Sequence, residues 1–399
     1  MSFDEMLALP ASERERLGVE NTPREILQQP QTWIETFGIV RDQQIGLLRF
    51  LADSGLAPTE IGNLSVALIG AGTSDYVGRA LEALIRKEWK CHVRAIPSTD
   101  LFTEMDEYVA SSPPDSNHLW ISFSRSGDSF EGVKVLEKAL GKYPHIRHLI
   151  VTCSSNGQMA KDISPGRENV YCIELDDKVN DRGLAMTSSF SNMIIAGQCL
   201  AHIANLESYE PIVSTLSNAA SKLLPQSESL ARKTALGSHT RVCFLGSGPL
   251  KATADESSLK VLELTAGGFS VMSESFLGLR HGPLSWLDSD SLVVGFLSNS
   301  PETRRIEIGL LDELKRKSTV DDIIVLSPQS TLNVRSANDI LSLDVDDNLP
   351  DAYRPPLDVI FGQCFGLYAC LRRGLKPDNP SADGKISRVV KDIEIGTPD

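Results

Sequence analysis

Leu64-Ser65-Val66-Ala67-Leu68-Ile69 runs into Gly70-Ala71-Gly72-Thr73-Ser74, and 176 residues later Arg241-Val242-Cys243-Phe244-Leu245 runs into Gly246-Ser247-Gly248-Pro249. Two further pairs keep nearly the same spacing. Leu119-Trp120-Ile121-Ser122-Phe123, with Ser124-Arg125-Ser126, is echoed 174 residues on by Val293-Val294-Gly295-Phe296-Leu297, with Ser298-Asn299-Ser300. Ile150-Val151-Thr152-Cys153 is echoed by Ile324-Val325-Leu326-Ser327, again 174 residues on. Three features in one order at one spacing predict a duplicated domain, because the period is far too long for a solenoid repeat. Unalternated apolar runs of this length suit strands buried on both faces, and the amphipathic stretches 132–140 and 306–317 suit crossover helices between them. The expected fold class is therefore α/β, with two duplicated, doubly wound parallel-sheet domains.

The remaining boundaries follow from composition. Residues 1–44 are polar and punctuated by Pro23 and Pro30, and read as an N-terminal helical arm. The first domain is expected over 45–205 and the second over 229–399 with a C-terminal tail. Residues 206–228, rich in Ser and Glu with Pro211 and Pro225, read as a linker helix.

A net charge of -14 over 399 residues repels polyanions, which argues against nucleic acid and anionic membranes as partners. It says little about a small anionic substrate, whose pocket sets its own field. Seven cysteines, none in a Cys-x-x-Cys pair, read as free thiols of a cytoplasmic protein. No signal peptide is apparent at Met1–Glu5, and no apolar stretch approaches a membrane span. His145 and His148 lie beside Pro144 with no cysteine or carboxylate cluster, so a solvated loop is expected there rather than a metal site.

Ligands in open α/β sheets bind beyond the carboxyl ends of the strands, so the turns after the apolar runs are the places to read. Gly70–Ser74 combines two glycines for a tight turn with the hydroxyls of Thr73 and Ser74. Ser124-Arg125-Ser126-Gly127-Asp128-Ser129 follows a strand and opens a helix, whose N-terminus offers unpaired N–H groups and partial positive charge. Ser124, Ser126 and Ser129 add hydroxyl donors, and Gly127 permits close backbone approach. A capped helix needs one hydroxyl and three are present, so phosphate binding is the favoured reading. In the second copy Pro301 stands where Gly127 does and removes an N–H donor, so that turn is not expected to cradle phosphate.

Two more segments carry chemistry. Glu256, Lys260 and Glu263 share a helical stripe, with Leu259, Leu262 and Ala266 on another. By pattern alone this is better read as a solvated face with a weak Glu–Lys pair. Gly278-Leu279-Arg280-His281-Gly282-Pro283 presents an arginine and a histidine in a Gly/Pro-bounded loop, suited either to acid–base work or to simple solvation.

Taken together, these residues resemble a known family. Its markers are the 70–74 and 122–127 turns, Asn180-Asp181-Arg182-Gly183-Leu184-Ala185-Met186-Thr187-Ser188-Ser189-Phe190, residues 245–251 and 259–267, Arg280-His281-Gly282-Pro283, and Pro377-Asp378-Asn379-Pro380. Over residues 28–392 the chain resembles the tandem sugar isomerase (SIS) domain proteins, including the isomerase half of glucosamine-6-phosphate synthase. In particular it is similar to the AgaS group, described as tagatose-6-phosphate ketose/aldose isomerases or galactosamine-6-phosphate deaminases.

The resemblance implies flavodoxin-like domains and a division of roles. Phosphate falls to Ser124, Ser126 and Ser129, with Thr73, Ser74 and Ser188 lining the sugar. Proton transfer between C1 and C2 falls to Glu263, and Lys260 or Arg280 is placed to steady the enolate oxygen. Ring opening falls to His281, which in the synthase comes from a neighbouring subunit. Lys385, beyond Asp378-Asn379-Pro380, falls where the synthase has a lysine that meets the sugar carbonyl. The implied reaction converts galactosamine 6-phosphate to tagatose 6-phosphate and ammonium through an enolamine. No metal or organic cofactor is expected, since the adjacent carbonyl acidifies the C2 hydrogen. No glutamine-hydrolysing domain is recognisable, which favours deamination or isomerisation over synthesis. The implied partner is a phosphorylated amino sugar, and the implied assembly a homodimer or larger homo-oligomer with shared active sites. The alternatives are a glucosamine-6-phosphate deaminase, a plain aldose–ketose isomerase, and a non-catalytic sugar-phosphate sensor.

Overall fold

A computed structural model describes residues 1–56, 63–110, 116–328, 334–346, 348–381 and 383–390. Five helices lead in: α1 (Phe3–Leu7), α2 (Ala11–Leu17), α3 (Thr22–Leu27), α4 (Gln29–Asp42) and α5 (Gln44–Asp53). The first α/β unit follows as β1 (Leu64–Gly70), α6 (Thr73–Trp89), β2 (His92–Pro97), α7 (Ser98–Ala110), β3 (Asn117–Ser124), α8 (Phe130–Lys142), β4 (Arg147–Thr152), β5 (Val170–Glu174) and α9 (Ser188–Ala201). Helix α10 (Glu210–Ala235) leads to the second unit. It comprises β6 (Arg241–Gly246), α11 (Pro249–Leu264), β7 (Ser270–Glu274), β8 (Ser291–Phe296), α12 (Pro301–Arg316), β9 (Asp322–Ser327), β10 (Asp339–Ser342) and α13 (Pro355–Arg372).

Both sheets are parallel and share one topology. The orders are β2-β1-β3-β4-β5 and, read the same way, β7-β6-β8-β9-β10. The duplication extends to backbone detail. Gly72 and Gly248, which cap α6 and α11, adopt φ/ψ of 56/-125 and 55/-128, a left-handed conformation open to glycine. A Cβ on Gly70 would come within 2.3 Å of the Ser74 backbone, and one on Gly246 within 2.1 Å of the Leu250 carbonyl. Each glycine lets its helix start directly against the end of its strand.

The halves join through helices. α6 packs on α11, α10 on α13 and α4 on α9. The lead-in helices are therefore part of the core: Trp33 on α4 is fully buried and donates its indole N–H to Ser191 Oγ at 2.9 Å. The joining helix runs through Pro225 to Ala235 because its Leu216, Leu223 and Ala231 are buried. Among the described residues no helix is long and apolar enough to cross a membrane. All seven cysteines are free thiols.

His148 differs from its expected place in a solvated loop. It lies within β4, 1% exposed, edge-on to Trp120, with neither ring nitrogen hydrogen-bonded. Burial alone pushes its imidazole from 6.5 down to about 4. A folded pKa below the unfolded one adds stability above pH 6.5 that is lost as pH falls toward 4, because the unfolded chain takes up the proton the fold refuses. Between pH 7.5 and 5 the wild type should lose about 2 kcal/mol more than His148→Leu, measured by urea unfolding. Equal losses in the two proteins would remove His148 as the cause.

Candidate active site

A cavity of about 380 Å³ opens at the carboxyl edge of the first sheet. The two turns after β1 and β3 form its floor, and Leu184 and Met186 form a wall. Glu263 enters from α11 of the second domain, and residues 385–390 of the C-terminal segment cross its mouth.

The serine turn presents neutral donors to the cavity. Gly127 takes the left-handed φ of +69 that lets the chain turn. Ser124 Oγ accepts from Gly127 N at 3.1 Å and Ser126 Oγ from Asp128 N at 3.2 Å, which leaves each hydroxyl hydrogen for another acceptor. Ser129 is the N-cap of α8, yet its hydroxyl makes no capping bond and lines the cavity. The Asp128 carboxylate is turned aside to accept from Gln158 N at 2.8 Å. Arg125, though in the turn, is buried and spends its guanidinium on the carbonyls of Gly183, Leu184 and Arg388. Burial, with Arg388 adding, lowers its pKa.

Glu256, Lys260 and Glu263 occupy one face of α11, as their spacing predicts, but that face is not solvated. Glu256 and Lys260 are 0% exposed, whereas Leu262 on the expected apolar stripe is 43% exposed. The stripes are inverted because α11 turns its polar face toward α6, where Thr73 meets it. Lys260 Nζ lies 3.2 Å from Glu256 Oε1, 2.7 Å from Glu263 Oε2 and 3.1 Å from Thr73 Oγ1. The Thr73 hydroxyl donates on to Glu256 Oε1 at 3.3 Å.

Burial pushes Glu256 up to about 8, with Lys260 pulling the other way and Glu263 adding to the rise. Burial opposes the charge on Lys260, but the two carboxylates outweigh it and raise its pKa. An isolated ion pair would lower the acid while raising the base. Here two carboxylates share one ammonium, and the fully buried one, Glu256, keeps its proton more readily. Lys260 thus backs Glu263 from behind, and the Glu263 carboxylate faces the cavity.

The other expected site residues separate into two groups. Ser74 lines the cavity beside Thr73. Lys385 also lines it, but its side chain is 84% exposed and pairs with Asp383 at 2.9 Å. Ser188 does not line it. Its hydroxyl donates to Asp181 and accepts from Gln28 Nε2 at 2.9 Å, because Asp181 caps the N-terminus of α9 through Thr187, Ser188 and Ser189. His281 is exposed on a turn, does not line the cavity, and makes a backbone bond to Gly278 O at 2.9 Å. Arg280 beside it pairs with Glu313 at 3.4 Å.

Sequence reasoning passed over Ser98, which lines the cavity, and Arg388, which ties its cover. Ser98 directly follows β2, and its buried hydroxyl has no partner. The rule about strand carboxyl ends would have found it had it been applied to β2 as well. Arg388 donates to Asp181 O at 2.7 Å and Asn180 Oδ1 at 2.6 Å, so the terminal segment is strapped to the 180–190 marker. Asp378 accepts from the backbone N–H groups of Glu20, at 2.8 Å, and Thr22, at 2.8 Å, and fastens the lead-in helices. Among the described residues no cluster of three or more His, Cys, Asp or Glu side chains is arranged to hold a metal.

No protein-family model matches the chain. It is 33% identical over 379 residues to the Escherichia coli D-galactosamine-6-phosphate deaminase AgaS, spanning 94% of this chain and 95% of that protein. The solved structure of Escherichia coli tagatose-6-phosphate ketose/aldose isomerase superposes with a TM-score of 0.82 at 30% identity, covering 90% of this chain and 95% of that one. The C-terminal domain of glucosamine-fructose-6-phosphate aminotransferase from Francisella tularensis, 17% identical with a TM-score of 0.70 over 91% of this chain and 99% of that one, shares the fold.

Proposed function

Because the chain belongs to the AgaS family, we propose that it converts galactosamine 6-phosphate to tagatose 6-phosphate and ammonium. The observation that carries this reading is a single cavity lined both by phosphate-type donors and by a lysine-backed carboxylate. The phosphate anchors at Ser124, Ser126 and Ser129, and the sugar extends past Thr73 and Ser74 toward Glu263.

With the ring open, C1 is an aldehyde and the C2 hydrogen is acidic. Glu263 takes that proton, and the electron pair moves to give the C1–C2 enolamine. Return of a proton to C1 leaves an imine at C2. Water adds there and ammonium leaves, producing the ketose. Lys260 donates to Glu263 Oε2 at 2.7 Å and holds the carboxylate in place. Ring opening falls to His281 of a second copy, since within one chain His281 does not line the cavity that holds Glu263. Leu277 beside it is 48% exposed, as a residue covered on assembly would be. Co-assembled Glu263→Gln and His281→Ala chains should then regain activity that neither has alone. Additive residual activity in the mixture would overturn the assignment of His281 to a second copy's site.

Ammonium release from galactosamine 6-phosphate, measured beside glucosamine 6-phosphate and tagatose 6-phosphate, tests the assignment. Release from the galacto substrate supports it, and release from the gluco epimer alone moves the assignment to that sugar. Aldose–ketose exchange without ammonium would make the chain a plain isomerase. A ligand that binds and never turns over would make it a sensor.

A further inference from the structure

The second domain has the same crevice as the first, and the chain fills it with its own carboxylates. Ser65 pairs with His118 in the first sheet as Arg241 pairs with Ser291 in the second, so Ser298 and Asn299 are the counterparts of Arg125 and Ser126. The strand ends, Ser124 and Leu297, correspond, but the helix caps are Ser129 and Ser300, so the second turn is two residues shorter. Pro301 lies at the first position of α12, where a missing N–H costs nothing, and does not by itself close this turn.

What closes it is charge. Ser298 N donates to Glu307 Oε2 at 2.7 Å, and Asn299 N donates to Asp351 Oδ1 at 2.7 Å. The Ser298 hydroxyl also donates to Asp351. Ser247, in the glycine turn that matches Gly70–Gly72, reaches Glu307. Both turns therefore donate into Glu307, and the Ser298–Asn299 turn also into Asp351, just as both turns of the first domain line the cavity. Two buried arginines complete the surroundings. Arg354 holds Asp351 at 2.8 Å and Asp358 at 2.7 Å, and Arg304 donates to Ser298 O at 3.1 Å. Glu307 is 1% exposed, and its second oxygen has no partner although it sits inside this donor-rich crevice. An acid pressed into a pocket of N–H and hydroxyl donors, and left half unsatisfied there, stands in for a ligand with more oxygens.

We propose that the second domain retains a site for a small tetrahedral oxyanion, phosphate or sulfate, held shut by an internal ligand, with Asp351 in the anion's place and Glu307 behind it. One consequence is that each chain presents one phosphosugar site despite having two sugar-isomerase-type domains. Another is that removing the internal ligand reopens the second.

Titration of Asp351→Ala with inorganic phosphate tests this. Calorimetry should count one more bound phosphate per chain than in wild type. The protein should be less stable than wild type in chloride buffer, and phosphate should raise its Tm by about 5 °C more than it raises the wild type's. Reading only the increment over wild type separates this outcome from whatever the first cavity binds. If Asp351→Ala folds in neither buffer, Asp351→Asn removes the charge and keeps the volume, and the same excess phosphate response is expected. Equal site counts and equal Tm shifts in variant and wild type would overturn the proposal.

Discussion

Glu263→Gln should lower ammonium release by at least ~10²-fold while leaving phosphosugar binding near wild type. A positioned general base contributes roughly 10²–10⁴-fold, and a carboxamide cannot accept the C2 proton. The substitution keeps the side chain's volume and leaves one oxygen to accept from Lys260, which now holds Glu263 at 2.7 Å. The serine turn is not altered by the substitution, so the substrate's phosphate should still be held. The kinetic signature is a fall in kcat with KM little changed, as expected when an interaction of the transition state alone is lost. A binding isotherm for galactosamine 6-phosphate on the inactive variant checks the other half. If the variant released ammonium at close to the wild-type rate, Glu263 would not be the base, and the buried partner Glu256 would be the next carboxylate to examine.

Some of this site was legible in the sequence because the relevant physics is local. Three hydroxyls and a glycine between a strand and a helix set a local turn, and Ser124–Ser129 lines the cavity without needing a distant residue to place it. The duplicated glycine turns were legible for the same reason, since Gly72 and Gly248 answer to the backbone conformation each must adopt. The sequence failed where meaning came from a partner far along the chain. Glu256 and Lys260 read better as a surface pair, because α6, which buries them, begins at Thr73, far along the chain. Ser188 looked like a sugar contact until Asp181 and Gln28 were seen to use its hydroxyl. Pro301 offered a local reason for the silence of the second turn. The effective reason lies at Asp351, fifty residues on, and no spacing rule joins the two. His148 is the same lesson in reverse, since Pro144 and His145 suggested a loop and the sheet pairing buried the imidazole.

The cross-domain cluster on α11 ties stability to catalysis, and Lys260→Met should expose the connection. The ammonium is the cation that Glu256 and Glu263 share, and removing it leaves Glu256, 0% exposed, with a threonine hydroxyl as its remaining partner. Breaking a buried pair from one side costs about 3–5 kcal/mol when the survivor stays charged. Glu256 has an escape, because burial already raises it to about 8 and loss of Lys260 raises it further. An acid whose folded pKa lies above its unfolded value destabilises the fold progressively as pH rises between the two. For Lys260→Met that window extends past 8, so the deficit against wild type should widen above pH 8 by about 1.4 kcal/mol for each further pH unit until Glu256 ionises. At pH 6, where Glu256 is protonated in both folded proteins, the deficit should be smallest. Adding Glu256→Gln to Lys260→Met should restore most of the lost stability at pH 9, since neither substituted side chain then needs a counter-charge. It should not restore ammonium release, because Glu263 would still lack the lysine that holds its carboxylate in place. Urea unfolding of the three proteins at pH 6 and pH 9, beside the wild type, gives the full comparison. A deficit of the same size at both pH values, or a double variant no more stable at pH 9 than Lys260→Met alone, would show that Glu256 is not the residue Lys260 neutralises.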